Sequence, residues 1–167
     1  MLDNEIKLCP EELWKSDKKF FYMAYHVVIF LDYYLSNPVS EFSPVLKYTI
    51  VAQEGMPKDA IDDVIPNEFY SKQDFSNYIS LIREKCRKEI LPATEESLSQ
   101  RWIKDNEIDL HGLCPSLVIN YSRLEIFFYN LRHVQHHVGQ MNLMLREKAN
   151  LAADWISLAD SLETEEH

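Results

Sequence analysis

The chain has 167 residues, a length that suits one domain with its own hydrophobic core. Its formal net charge is −10, so it lacks the excess of Lys and Arg with which proteins bind nucleic acid. Hydrophobic residues make up 46% of the chain and there are only three glycines, a composition that favours helices. We expect a single domain over residues 1–167, with a frayed acidic tail over about 155–167 and no nucleic-acid partner.

The first long helix is predicted over residues 18–36, KKFFYMAYHVVIFLDYYLS, which ends at Asn37 and Pro38. This segment is apolar on nearly every side, which indicates a helix buried among others. The next segment, residues 38–66, contains four prolines and is expected to be a long crossing connection. Within it, a short helix is predicted over residues 45–52.

The second long helix is predicted to follow Ser71, because Ser71 and Asp74 approximate a capping box and apolar residues then recur at three- and four-residue spacing. Residues 92–116 are expected to form an irregular connection. Residues 116–149, which contain no proline, predict a long final helix. With only a short element before residue 18, this order of elements favours an all-α, up-and-down helical bundle.

The cellular compartment is predicted from three cysteines, which form no CxxC pair. An odd number of cysteines without that spacing argues against a disulfide framework or a zinc ribbon and favours the reducing cytoplasm. The N-terminus lacks the basic start and apolar run of a signal peptide, and no stretch approaches the roughly 18 apolar residues of a membrane span. We therefore expect a cytoplasmic protein with no membrane contact.

Three of the six histidines lie close together in RHVQHHVGQ, residues 132–140. Because an α-helix turns about 100° per residue, His133 and His137 lie about 40° apart on one face. This i, i+4 spacing allows two imidazoles to bind one metal ion, although such pairs are often only exposed to solvent. Gln140 lies on the same stripe as His133 and could contact a ligand ring or be a surface residue. His136 lies on the other side of His133, and a surface position is its simplest interpretation.

A third ligand would have to come from another helix, because catalytic metal sites commonly have three protein ligands and an open position. His26 is the candidate, since it lies in the middle of the apolar first helix and its ring nitrogens need partners. A hydrogen-bonded core histidine is the alternative. His111 and Cys114 form an HxxC pair in a connection, which we interpret as loop composition. From the residues alone, a metal site and a packing role both remain open.

The arrangement of these motifs resembles the DinB-like (YfiT-like) superfamily over most of the chain. The resemblance rests on the apolar helix with His26 and on the HxxHHxGQ motif about a hundred residues later. It also includes CPEELW at residues 9–14 and YSKQDFSNYISLIREKCRK at residues 70–88. The HxxHHxGQ motif in a long helix is the most specific of these features.

The resemblance implies a four-helix bundle with a long crossover connection, commonly a homodimer. It implies a divalent metal ion, zinc or nickel, bound by His26, His133 and His137, with His136 and Gln140 as neighbours of the ligands. It also implies a metal-dependent thiol S-transferase or hydrolase, which activates a low-molecular-weight thiol or water for attack on a small electrophilic substrate. Many members have no established activity, so a non-catalytic metal- or ligand-binding dimeric bundle is the alternative.

Two departures from the family pattern affect what is expected. Only MLDNEIKL precedes CPEELW, so the first bundle helix is expected to be short or incomplete, with a neighbouring subunit covering the gap. Arg132 and Val138 stand where many relatives have Asn and Arg, which is expected to alter contacts around the metal or the substrate preference. Tyr25 and Tyr129 flank the predicted ligands, as does Tyr22, and could donate to an oxyanion, although tyrosines at helical spacing usually serve packing.

Overall fold

The structure, a computed structural model, describes residues 1–156 and is mainly helical. The expectation of a frayed tail over residues 155–167 therefore falls almost entirely outside the described residues. The helices within the described part are α1 (Leu2–Leu8), α2 (Glu11–Ser16), α3 (Lys18–Leu35), α4 (Lys72–Ile90), α5 (Glu95–Ser99) and α6 (Arg123–Ala149). Two short strands, β1 (Tyr48–Ile50) and β2 (Val64–Pro66), lie between α3 and α4. Over residues 1–156, no helix has both the length and the apolar character needed to cross a lipid bilayer.

Helix α3 is the central element, and its predicted position is confirmed. Its N-cap is Asp17, whose side chain accepts a hydrogen bond from the backbone N–H of Phe20 at 3.2 Å. Most of its side chains are buried, including Tyr25 and Tyr33, which have no exposed surface. The helix ends before Pro38, which cannot continue a helix. It packs against both α4 and α6.

Capping boxes begin the other two long helices. The Ser71 hydroxyl accepts from the backbone N–H of Asp74 at 3.2 Å, and the Asp74 carboxylate accepts from the backbone N–H of Ser71 at 2.8 Å. The predicted start of the final helix at residue 116 is wrong, because Ser122 and Glu125 form the same box and α6 begins at Arg123. Residues Ser116–Val118 make only a 3₁₀ turn.

Polar contacts between helix ends fix the directions of the bundle. Lys148, near the end of α6, pairs with Asp17 at the start of α3, so α3 and α6 are antiparallel. Lys85, in the second half of α4, pairs with Asp32 in the second half of α3, so α3 and α4 run in the same direction. The seven-residue helix α1 is short, as the sequence predicts, and packs on both α4 and α6.

The crossover connection corrects one expectation. Residues 45–52 do not form a helix, because Tyr48, Thr49 and Ile50 pair as β1 with β2 in antiparallel register, and β-branched and aromatic residues favour strands. The fold is therefore mainly α, with this small two-stranded sheet in the crossover connection. The Tyr25 hydroxyl of α3 donates to the carbonyl oxygens of Leu46 and Lys47 at 3.0 and 2.8 Å, which fastens the connection to the bundle.

The second connection contains more regular structure than its sequence indicates. Residues 92–116, expected to be irregular, include α5, whose N-cap Thr94 accepts from the backbone N–H of Ser97 at 3.2 Å. Trp102 is buried and donates from Nε1 to the carbonyl oxygen of Val118 at 2.8 Å. This packing places the start of α6 beside the end of α4, where Arg123 and Glu89 form an ion pair at 2.8 Å.

Candidate metal centre

Three histidines from two antiparallel helices meet on one side of the bundle. His26 lies in the middle of α3, and His133 and His137 lie one turn apart in α6. Nε2 of His26 is 2.8 Å from Nε2 of His133. One ring nitrogen from each of the three lies within 4.8 Å of the other two. The structure thus brings together all three histidines that are predicted from the sequence as candidate metal ligands.

The spacing of these nitrogens suits a small metal ion. Two imidazole nitrogens bound to one tetrahedral zinc at about 2.0–2.1 Å stand about 3.4 Å apart. The separations in the cluster, 2.8 Å for one pair and at most 4.8 Å for the others, fall on either side of that value. Imidazole nitrogens are ligands that zinc, nickel and copper accept readily. The three side chains are therefore close enough to bind a divalent transition-metal ion.

Asp62, in the crossover connection, orients the His26 ring. Its Oδ2 accepts a hydrogen bond from Nδ1 of His26 at 2.7 Å, and its Oδ1 accepts from the backbone N–H of Val64 at 3.0 Å. With the ring proton on Nδ1, a tautomer assigned from this hydrogen bond, the lone pair of Nε2 faces the cluster. A carboxylate on the far nitrogen of a ligating histidine is the usual arrangement in metal sites.

Sequence reasoning missed Asp62 because nothing local distinguishes it. It is one of two consecutive aspartates in a proline-rich connection, with no helical or strand period around it. Its position depends on the pairing of β2, which begins two residues later and packs against α3. An acidic pair just before a short β-branched segment was the only available signal.

Gln140 performs the corresponding role for His137. Its Oε1 accepts from Nδ1 of His137 at 2.8 Å, one helical turn along α6. This hydrogen bond leaves the Nε2 lone pair of His137 free to face the other two rings. Gln140, which is predicted to lie on the same stripe as His133, thus contacts the ring of His137 directly.

His133 is partly buried and contributes the third ring of the cluster. Because Nε2 of His26 is an acceptor, Nε2 of His133 donates the hydrogen bond that joins the two rings. Its other nitrogen, Nδ1, is buried and has no hydrogen-bond partner among residues 1–156. The ring packs edge-on against Tyr34 and Phe30. A metal ion between His26 and His133 would therefore replace a single shared proton.

Burial keeps the two histidines of α6 uncharged. Burial, together with the neighbouring His26, His137 and His136, lowers the pKa of His133 to about 3. Burial and the neighbouring His26 likewise lower the pKa of His137 to about 4. Both rings are neutral at pH 7, which is the form that binds metal ions.

A cavity of about 460 Å³ opens beside His137. His137 and Gln140 form part of its wall, together with the apolar side chains of Met23, Ile61 and Met144. Two exposed residues of opposite charge, Lys19 and Glu147, also line it. The volume is within the range of about 300–1,000 Å³ that is typical of sites for small molecules.

The remaining candidates lie outside the cluster of ligand atoms. The His136 ring centroid is 5.1 Å from that of His137, but the residue is exposed and contributes no nitrogen to the group of three. The Tyr25 hydroxyl is occupied by the crossover connection, and Tyr129 packs against Tyr34. His111 bonds to the carbonyl oxygen of Val39 at 3.0 Å, in keeping with a structural role in its loop.

Comparison with known proteins adds no identification. No family model, no curated protein and no solved structure matches the chain. The resemblance to the DinB-like superfamily therefore stays a prediction that rests on the residues themselves.

Proposed function

We propose that this protein is a DinB-like, metal-dependent thiol S-transferase or hydrolase that acts on a small electrophilic substrate. Its His26, His133 and His137 would hold one divalent ion, zinc or nickel. The observation that carries the proposal is the convergence of three imidazoles beside an open cavity. When bound, such an ion lowers the pKa of a thiol or water that reaches it, so that either becomes a nucleophile near neutral pH.

The surrounding residues orient two of the three rings for that role. Asp62 and Gln140 hold the Nδ1 protons of His26 and His137, so the two Nε2 lone pairs point inward without reorganisation. Burial keeps the rings of His133 and His137 neutral at physiological pH. Three neutral ligands leave the full charge of a divalent ion available to polarise an entering molecule.

The cysteines of this chain do not supply a nucleophile, which supports a thiol or water from solution. The candidate cluster contains only histidines. Cys9 is buried in the core, and burial raises the pKa of its thiol to about 11. Burial also raises the pKa of the Cys86 and Cys114 thiols. A low-molecular-weight thiol or water entering the cavity beside His137 is therefore the nucleophile that fits the site.

The first test of the proposal is metal content. The untagged protein, purified without chelator or immobilised nickel, should contain close to one equivalent of metal by plasma mass spectrometry. The variants His26→Ala, His133→Ala and His137→Ala should each contain little. His136→Ala is the matched control and should keep the parent's metal, because its ring lies outside the cluster. A metal-free parent that also fails to bind added zinc or nickel would refute the proposed site.

The second test is turnover. A panel of low-molecular-weight thiols would be combined with 1-chloro-2,4-dinitrobenzene, where the thiolate displaces chloride and the thiol proton goes to buffer. We expect metal-dependent turnover with at least one thiol, and loss of that turnover in His137→Ala but not in His136→Ala. An ester panel tests the hydrolase form of the proposal in the same way.

One observation favours a second candidate function, a non-catalytic metal- or ligand-binding bundle that acts as a homodimer. The Nε2 atoms of His26 and His133 already share a 2.8 Å hydrogen bond, which joins α3 to α6 without any other group. In that case metal would bind and raise the melting temperature, but no thiol or ester would be turned over. Metal loading and turnover, measured on one preparation, therefore separate the two functions.

A further inference from the structure

An apolar groove of about 380 Å³ lies between α4 and α6, with α3 as its floor. Its lining includes Leu31 and Leu35 of α3, Cys86 and Ile90 of α4, and Phe128 and Leu131 of α6. Three of these side chains are strongly exposed: Ile90 at 46%, Phe128 at 60% and Leu131 at 52%. Exposed apolar residues that adjoin one another in this way mark a binding surface more often than scattered ones do.

The groove is the part of the space between α4 and α6 that α1 does not reach. The C-terminal end of α1 lies at the start of α4, where Lys72 donates to the carbonyl oxygen of Cys9 at 2.7 Å. Near its other end, Asp3 accepts from the Ser76 hydroxyl at 2.7 Å, only one turn further along α4. Cys86 and Ile90 lie beyond that point. Helix α1 therefore leaves Cys86 and Ile90 uncovered.

The last described residues run back along α6 in the direction of this groove. Helix α6 stops at Asn150, which has a left-handed conformation with φ of 53°, and the chain then reverses. Ala153 donates from its backbone N–H to Oδ1 of Asn142 at 3.3 Å, so the segment after α6 returns alongside the helix. At about 100° per residue, Asn142 lies within about 40° of Leu131 and Phe128 on the same face of α6.

The sequence at this point has the pattern that such a groove would bind. Trp155 and Ile156 are exposed at 77% and 42%. Trp155, Leu158, Ala159 and Leu162 follow the i, i+3, i+4, i+7 spacing of an apolar helix face. Residues 154–167 contain five acidic residues and no Lys or Arg.

The distance also matches, because Leu131 lies eleven residues before Asn142 on α6, about 17 Å at 1.5 Å per residue. A helix of about ten residues that starts near Ala153 covers about 15 Å.

We propose that residues 155–162 of the same chain dock into the groove as an amphipathic helix. Their apolar face covers Cys86, Ile90, Phe128 and Leu131, and Asp160 stays on the opposite, solvent-facing side of the helix. The C-terminal segment then supplies the helix packing that α1 leaves open.

The reactivity of Cys86 tests this docking in the full-length chain. In a Cys114→Ser background the Cys86 thiol would be titrated with Ellman's reagent, while the buried Cys9 reports whether the fold is intact. The double variant Leu158→Glu/Leu162→Glu should expose Cys86 and raise its reaction rate at least tenfold, with unchanged helical circular dichroism. Ser161→Glu, which adds a charge off the apolar face, should react at the parent's rate. Equal rates in the parent and the double variant would overturn the proposal.

A cross-link identifies the occupant of the groove. In the same background, Leu162→Cys would be oxidised with diamide and analysed by mass spectrometry after non-reducing electrophoresis, with Ser161→Cys as the matched control. A disulfide from Cys86 to position 162 within one chain, formed faster than in the control, supports the proposal. A disulfide that joins two chains would overturn it in favour of a second copy in the groove. Absence of any disulfide to Cys86 would also overturn it.

Discussion

Asp62 and His26 are joined by a hydrogen bond of 2.7 Å from Nδ1 to Oδ2, although 36 residues separate them in the chain. This bond connects the long crossover connection to the central helix at the point where the three histidines meet. Because Oδ1 of the same carboxylate accepts from the backbone N–H of Val64, the position of Asp62 is itself fixed by the edge of the small sheet. The crossover therefore takes part in orienting the candidate site.

Replacing Asp62 should weaken metal binding without removing a ligand. Loss of a carboxylate partner of a ligating histidine typically costs about 10–100-fold in metal affinity. We expect Asp62→Ala to show a loss of that size for zinc in competition with a fluorescent chelator at pH 7, and Asp62→Asn a smaller one. Asp63→Asn, an exposed neighbour, is the control and should bind like the parent. Equal affinity in Asp62→Ala and the parent would refute the orienting role.

The contact of Gln140 with His137 predicts a weaker effect of the same kind. A neutral amide holds the Nδ1 proton less firmly than a carboxylate, because charge-assisted hydrogen bonds are roughly twice as strong as neutral ones. Gln140→Ala should therefore lose less zinc affinity than Asp62→Ala in the same competition assay. Gln135→Ala changes an exposed glutamine two residues from both His133 and His137, on the opposite side of α6, and should have no effect. A larger loss in Gln140→Ala than in Asp62→Ala would contradict this order.

Local signals explain how much of this structure can be predicted from the sequence. Helix α3 and helix α4 are found because an apolar run, a proline stop and the Ser71–Asp74 capping box all lie within the helices or at their ends. The pairing of His133 with His137 follows from helical spacing alone. Ser122 and Glu125 form the same capping-box pattern, which also marks the true start of α6 in the sequence. The apolar residues from 116 onward extend the predicted helix past this signal.

The parts that sequence reasoning missed depend on contacts between distant segments. The strand β1 lies in a segment that reads equally as a short helix, and its pairing with β2 decides the outcome. Asp62 and its contact with His26 follow from that pairing. A position fixed by tertiary packing has no local period or cap that would reveal it.

The hydroxyl of Tyr78 is expected to contribute strongly to stability. It donates to Oδ2 of the buried Asp32 at 2.5 Å, and the same carboxylate pairs with Lys85. Hydrogen bonds to charged groups contribute about 1.5–3 kcal/mol. We expect Tyr78→Phe to lower the free energy of unfolding by that amount in urea denaturation. Tyr121→Phe is the control, because its hydroxyl has no hydrogen bond to residues 1–156; a similar small change in both variants would contradict the prediction.

The carboxyl group of Glu5 should make stability depend on pH. Glu5 is fully buried in α1, and neither of its oxygens has a hydrogen-bond partner among the described residues. Burial raises its pKa from 4.5 to about 8, while the N-terminal ammonium lowers it slightly. Between these two pH values the folded chain keeps a proton that the unfolded chain has lost. The free energy of unfolding should therefore fall as pH rises from about 4.5 to about 8, by up to about 1.4 kcal/mol per pH unit.

The variant Glu5→Gln isolates this effect. His133 and His137 have lowered pKa values and give the opposite trend below pH 6.5, but they contribute equally to parent and variant. Urea denaturation would be measured at pH 5, 6, 7 and 8, with a chelator present throughout. At each step to higher pH, the free energy of unfolding of Glu5→Gln should increase relative to that of the parent. Glu12→Gln, an exposed change on α2, should follow the parent. Parallel curves for the parent and Glu5→Gln would show that Glu5 ionises normally in the folded chain, and that the end of α1 admits water to its carboxylate.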